Sequence, residues 1–117
     1  MNIESVRQYC LQFKGVEESL PFGPDNLVYK VGGKIFAISG LDEEECSVNL
    51  KCDPERAIEL RELHPDHVYP GYHMNKKHWN TVFFERGLPE KFIRELIDHS
   101  YKLVFESLST KLKQELI

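Results

Sequence analysis

The chain has 117 residues, enough for one domain with a buried core that needs neither a metal nor a disulfide. It is 41% hydrophobic and 29% charged, and fifteen basic against nineteen acidic side chains give a net charge of −4. That balance counts against a generic nucleic-acid binder but leaves room for a local basic patch. No apolar run approaches the roughly 18 residues of a membrane span, and the polar N-terminus has no signal-peptide core. The expected setting is the cytoplasm, without membrane contact and with a monomer favoured.

The N-terminal stretch from Asn2 to Lys14 predicts a helix. Asn2 suits the N-cap, and Ile3, Val6, Cys10 and Phe13 recur every three or four residues on one face. Gly15 is a natural stop, and the prolines and glycine between Ser19 and Asn26 predict a loop. A hairpin follows, because Leu27–Val31 and Lys34–Ser39 flank Gly32-Gly33, a favoured two-residue turn. Pairing Val31 with Lys34 sets Tyr29 against Phe36 and Leu27 against Ile38, and assigns those four to the core. Val28, Lys30, Ile35 and Ala37 then fall on the opposite face. After the acidic turn of Asp42, Glu43, Glu44 and Glu45, the run Cys46–Lys51 alternates. It points Cys46, Val48 and Leu50 inward, and Ser47, Asn49 and Lys51 outward.

Asp53-Pro54 announces a second helix, an N-cap followed by proline at the first helical position. It runs to about Leu63, with Ala57, Leu60 and Leu63 as its buried side, and Pro65 ends it. His67–Tyr69 is a short extended piece interrupted by Pro70-Gly71, and His78–Phe84, rich in aromatic and β-branched residues, predicts the last strand. Pro89 opens a long helix on which Phe92, Ile93, Leu96, Ile97, Ser100, Tyr101, Val104 and Leu108 form a wide stripe. Ser109-Thr110 interrupts it before a tail expected to fray. The order α-β-β-β-α-β-β-α predicts an α+β domain over 1–117, an antiparallel sheet with helices on one face.

Three cysteines without CxxC spacing argue against a disulfide framework or a zinc ribbon. Cys46 and Cys52 flank one strand, about 20 Å apart and too far to bridge. The expectation is three reduced thiols, with Cys10 and Cys46 in the core. His73 and His78 stand five apart with no acid or cysteine between them, and His64 and His67 lie nearby. Metal pairs on a helix fall at i and i+4, so no metal site is expected. No nucleophile elbow or glycine-rich phosphate loop is present, so neither catalysis nor a cofactor is expected. The most unusual segment is Tyr69-Pro-Gly-Tyr-His-Met-Asn-Lys-Lys-His-Trp-Asn-Thr-Val82. Lys76 and Lys77 suit phosphate oxygens, Asn75 suits a hydrogen bond, and Tyr72 or Trp79 suits stacking on a base. In the alternative, Tyr72 and Trp79 pack under the loop and the lysines are merely solvated.

The chain resembles the MmcQ/YjbR family over nearly its whole length. The resemblance rests on Ser19-Leu-Pro-Phe-Gly23, Val31-Gly-Gly-Lys-Ile-Phe-Ala37, Leu50-Lys51 before Asp53-Pro54, and Ser100-Tyr101-Lys-Leu-Val104. Its most specific part is Tyr69-Pro-Gly-Tyr-His-Met-Asn-Lys76 with His78-Trp79-Asn80-Thr81. The resemblance implies a two-layer α-β(3)-α-β(2)-α fold, similar to type III secretion chaperones. It also implies DNA binding by a "double-wing" arrangement of hairpins.

The function expected is therefore DNA binding without intrinsic catalysis. The candidate surface comprises Lys30, Lys51, Tyr72, His73, Asn75, Lys76, Lys77 and His78. One rival is a chaperone-like protein-interaction module using an apolar sheet face at Val28, Ile35 and Ala37. The other is a small-ligand or metal-binding domain at His73 and His78.

Overall fold

In the computed structural model, which describes residues 1–41, 44–71 and 74–117, six antiparallel strands carry a layer of helices. The elements in chain order are α1 (Ile3–Leu11), β1 (Val16–Ser19), β2 (Asn26–Val31), β3 (Lys34–Gly40), β4 (Val48–Lys51), α2 (Pro54–Leu63), β5 (Val68–Pro70), β6 (Trp79–Val82), α3 (Glu90–Glu106) and α4 (Thr110–Leu116). The sheet order is β1-β2-β3-β4-β6-β5. The expected α+β class is what forms. It gains one edge strand, β1, and a separate last helix.

Local chemistry accounts for most boundaries. Asn2 and Ser5 cap α1 reciprocally, each side chain bonding the other's backbone N–H at 2.8 and 2.9 Å. Asp53 caps α2 through Arg56 N–H, with Pro54 in the first turn. Gly32 and Gly33 both have positive φ, as a tight hairpin turn demands. The tail forms a helix: Ser109 caps α4, and Leu116 packs against Gly15, where an added Cβ would meet it at 2.6 Å.

The β2–β3 hairpin departs from the simple register. Val31 faces Lys34 and Lys30 faces Ile35, but Tyr29 then faces Ala37, leaving Phe36 as a bulge. Side chains beyond the bulge change faces, since a one-residue shift reverses the alternation. Phe36 and Ala37 both enter the core, whereas Ile38, paired with Val28, turns to the other side. The predicted positions of Ala37 and Ile38 are corrected accordingly, while Val28 keeps the face expected of it. Val28 and Ala37 are fully buried, so the apolar patch expected on the free face does not exist there. Cys52, not Cys46, joins Cys10 among the fully enclosed thiols.

The core fills the space between the inner sheet face and the helices. Tyr29, Val31, Phe36, Val48, Leu50 and Val82 meet Val6 of α1, Leu60 of α2, and Ile93, Ile97 and Val104 of α3. Phe13 stacks on Tyr101 at 4.4 Å, and Phe36 meets the same ring edge-on at 5.4 Å. At the centre, buried Ser100 of α3 donates to the Phe36 carbonyl at 2.5 Å and accepts from Lys51 N–H at 2.8 Å. The carbonyl displaced by the bulge therefore finds its partner on a helix. Replacing Ser100 with alanine strands both buried backbone groups. Urea denaturation should show a loss of about 1–3 kcal/mol with an unchanged m-value.

A contact between α3 and the N-cap of α2 is sensitive to pH. His99 Nε2 accepts Asp53 N–H at 3.2 Å, which requires an unprotonated acceptor. Burial lowers the His99 pKa below 6.5, and Arg56 acts in the same direction, while Glu95 and Asp53 oppose it. The unfolded chain thus binds the proton more readily than the folded one. The contribution is present above the unfolded pKa and is lost as pH falls through the folded value. Stability to urea should fall as the pH is taken down through 6.5, and the fall should be smaller in His99→Gln, which accepts but does not titrate.

Candidate nucleic-acid interface

Strand register decides where the candidate lysines lie. Inward Leu50 pairs with Ala37, so Lys51 turns to the face opposite the helices, beside its cross-strand partner Trp79. Lys30 reaches the same face from β2, paired with Glu17 on one side and Ile35 on the other. The β3–β4 register sets Lys51 opposite the bulged Phe36, one residue along from Ile35. Glu17, Lys30, Ile35, Lys51 and Trp79 form a row across its free face, all exposed or half-buried. Lys30 and Lys51 are separated by β3 alone, about 10 Å at the usual strand spacing.

The turn before β6 brings Asn75, Lys76, Lys77 and His78 to the Trp79 end of that row. Asn75 folds it: its side-chain oxygen accepts Lys77 N–H at 2.9 Å, and its carbonyl accepts His78 and Trp79 N–H. Asn75, Lys76 and Lys77 are exposed and His78 is half-buried. Tyr72 and His73 lie outside the described residues. Of the described candidates, Lys51 and the Asn75–His78 turn meet at Trp79, while Lys30 is the most distant and faces a carboxylate, Glu17.

Sequence reasoning overlooked the group that holds this turn. Arg61 of α2 donates to Asn80 Oδ1 at 2.6 Å, to the Trp79 carbonyl at 3.3 Å and to the Lys76 carbonyl. Asn80, buried on the inner face, donates in turn to the Ala57 carbonyl at 3.4 Å. An inward-facing asparagine on β6 was the available signal, because a buried amide requires partners. Gly71 completes the support. A Cβ there would lie 2.8 Å from Trp79 Cβ and 3.0 Å from its carbonyl oxygen, and Gly71 N–H bonds that same carbonyl.

A second basic group was also missed. Arg86 lies 4.1 Å from the centre of the Phe83 ring and 5.7 Å from that of Tyr69, and it donates to Tyr69 Oη and the Asp66 carbonyl. Glu45 binds the same guanidinium, and that bond holds the Glu45 carboxyl below its usual range. Tyr69 is exposed at the sheet edge.

His64, His67, Cys10 and Cys52 have structural surroundings. His64 lies against Phe92 at 4.8 Å, and His67 Nε2 bonds the Arg86 carbonyl at 2.9 Å. No cluster of three or more His, Cys, Asp or Glu able to hold a metal occurs among the described residues. Burial pushes the Cys10 thiol up to about 12 and the Cys52 thiol up to about 11, so both stay protonated at neutral pH. The enclosed space between Leu50, Leu60, Asn80, Val82 and Leu96 is about 10 Å³, room for one water at most.

The YjbR family model matches residues 11–103. The chain belongs to the YjbR family. It is 35% identical to protein YjbR of Escherichia coli K12, covering the whole chain and 98% of that relative. It is 38% identical to YbdF of Escherichia coli O157:H7 over 92% of the chain and 88% of the relative. Among solved structures, a Deinococcus radiodurans protein described as a DUF419 domain superposes with a TM-score of 0.92 at 35% identity, covering 98% of this chain and 87% of that one. A Pseudomonas syringae protein gives a TM-score of 0.77 at 29% identity, over 89% of this chain and 99% of its own. Both YjbR and YbdF are named as uncharacterised, so these matches give the YjbR fold without a reaction.

The signature glycine provides a direct test of this construction. Gly71→Ala forces the new methyl against the Trp79 backbone, which cannot move without breaking the β5–β6 pairing. Chemical denaturation should show a loss of about 1–3 kcal/mol.

Proposed function

We propose that this YjbR-family chain binds DNA through the free face of its sheet and the Asn75–His78 turn, without catalysing a reaction. The observation that carries the proposal is the placement of Lys51 beside Trp79, in one row with Lys30 and next to Lys76 and Lys77. Helices α2 and α3, on the opposite side, carry seven acidic and five basic side chains. In a chain of net charge −4, Lys30 and Lys51 lie on the face away from the more acidic helices, and Lys76 and Lys77 are exposed in the turn that leads into β6. Lysines placed this way neutralise phosphates and release counterions, while an aromatic neighbour adds contact with bases. Asn75 shapes the turn, and His78 fixes its exit by accepting Cys52 N–H on its carbonyl.

The protein-interaction alternative has less support on this face, because Val28 and Ala37 are buried. It keeps one feature elsewhere, the exposed side chains of Leu20 and Phe22 in the loop before β2.

Titration of labelled duplex and single-stranded DNA at low salt tests the proposal. Binding should be salt-dependent, and each of Lys51→Ala, Lys76→Ala and Lys77→Ala should lower the salt slope by about one. Lys30→Ala should have a smaller effect, since Glu17 already faces that ammonium. Absence of binding at tens of micromolar, or affinity unchanged in the Lys76→Ala/Lys77→Ala double variant, would overturn it.

A further inference from the structure

We infer that the free face of β6 is a stacking track for single-stranded DNA, and that this chain prefers a single strand to a duplex. The inference rests on the DNA-binding proposal and specifies the form of DNA bound.

Strand alternation places Trp79, Thr81 and Phe83 in line on that face, with Tyr69 of β5 beside Thr81. Trp79 stands at the head of the line next to Lys51. Tyr69 is 38% exposed and leans toward the foot, its ring edge-on to Phe83 at 5.4 Å. At the foot, the Phe83 ring backs the Arg86 guanidinium, 4.1 Å away, so the flat plane of the Arg86–Glu45 ion pair ends the track. Aromatic rings and arginine planes are the two kinds of platform on which unpaired bases stack. Glu45 grips the Arg86 edge through its nitrogens and holds that plane in position.

Spacing separates the two forms of DNA. Trp79 and Phe83 are four residues apart on one strand, about 13 Å. Stacked bases in a duplex follow one another every ~3.4 Å and keep their faces occupied, so a duplex offers none to platforms this far apart. An extended single strand can present separate bases to them, with its phosphates toward Lys51 and the Lys76–Lys77 turn. The cations and rings on this face match that ligand in both charge and chemistry.

Trp79 is the one tryptophan in the chain, so its emission reports contact at the head of the track directly. The full chain is titrated at low salt with a short oligo(dT) and with a hairpin duplex of matching length. Oligo(dT) should quench Trp79 saturably and bind at least about tenfold tighter than the duplex. Tyr69→Ala should weaken oligo(dT) by about tenfold and leave duplex binding unchanged, while Tyr69→Phe keeps the platform and the affinity. Binding without quenching, or equal affinity for the duplex, overturns the track yet leaves the lysine-based proposal standing. Failure of both forms to bind overturns both. Self-association that excludes oligo(dT) assigns the face to a second copy and also overturns the track.

Discussion

The buried Ser100 hydroxyl, bonded at once to the Phe36 carbonyl and the Lys51 N–H, links the two layers at the point where the sheet is irregular. A bulge leaves a carbonyl outside the ladder, and burying it unpaired would cost a large part of a domain's net stability. Because a helix supplies the partner, the bulge is tolerated in the centre of the sheet. It admits two consecutive inward side chains, Phe36 and Ala37, and Ala37 then pairs with Leu50. That register turns Lys51 outward. The helix that fills the core also fixes the backbone of the lysine on the free face.

A second linkage acts at the neighbouring strand. Arg61 and Asn80 join α2 to β6 and to the turn before it, so the signature segment is held from the helical side. Much of its unusual composition serves this construction: Gly71 for close approach, Asn75 for the turn, Asn80 for the cross-layer bond. Lys76 and Lys77 take no such role. Their exposure in a turn fixed by Asn75 and Arg61 gives a pair of cations with little backbone freedom to lose on meeting a phosphate.

Elements with local chemical signals were legible in the sequence. The Asn2 and Asp53 caps, the Gly32-Gly33 hairpin and the stripe of α3 formed where they were expected. Strand β1 was not legible, because Val-Glu-Glu-Ser has one apolar residue and takes its place from pairing with β2 and from the ion pair between Glu18 and Arg7. The bulge was equally hidden, since its cause lies 64 residues away on α3. Lys30 and Lys51 were nonetheless placed on the correct face, Lys30 because the hairpin turn sets its register before the bulge, Lys51 because the alternation of β4 is unbroken. Arg61 and Arg86 escaped notice because nothing near them in sequence announces a carbonyl or a ring across the fold. The candidates Tyr72 and His73 fall outside the described residues.

Net charge says little about the local field at the free face. A sum over the chain treats Lys51 and Glu95 as cancelling, although they belong to opposite layers separated by the core. A phosphate near Lys51 meets the lysine at contact distance and the helix carboxylates across roughly a sheet thickness, ~10 Å, about one Debye length at moderate salt. The near charge therefore dominates the local field, and added salt removes the far repulsion before the near attraction. Glu17 is the exception, because it stands directly across from Lys30 on the same face. The balance at this surface is thus set by strand register, which decides which carboxylates share a face with which lysines, and hardly at all by composition.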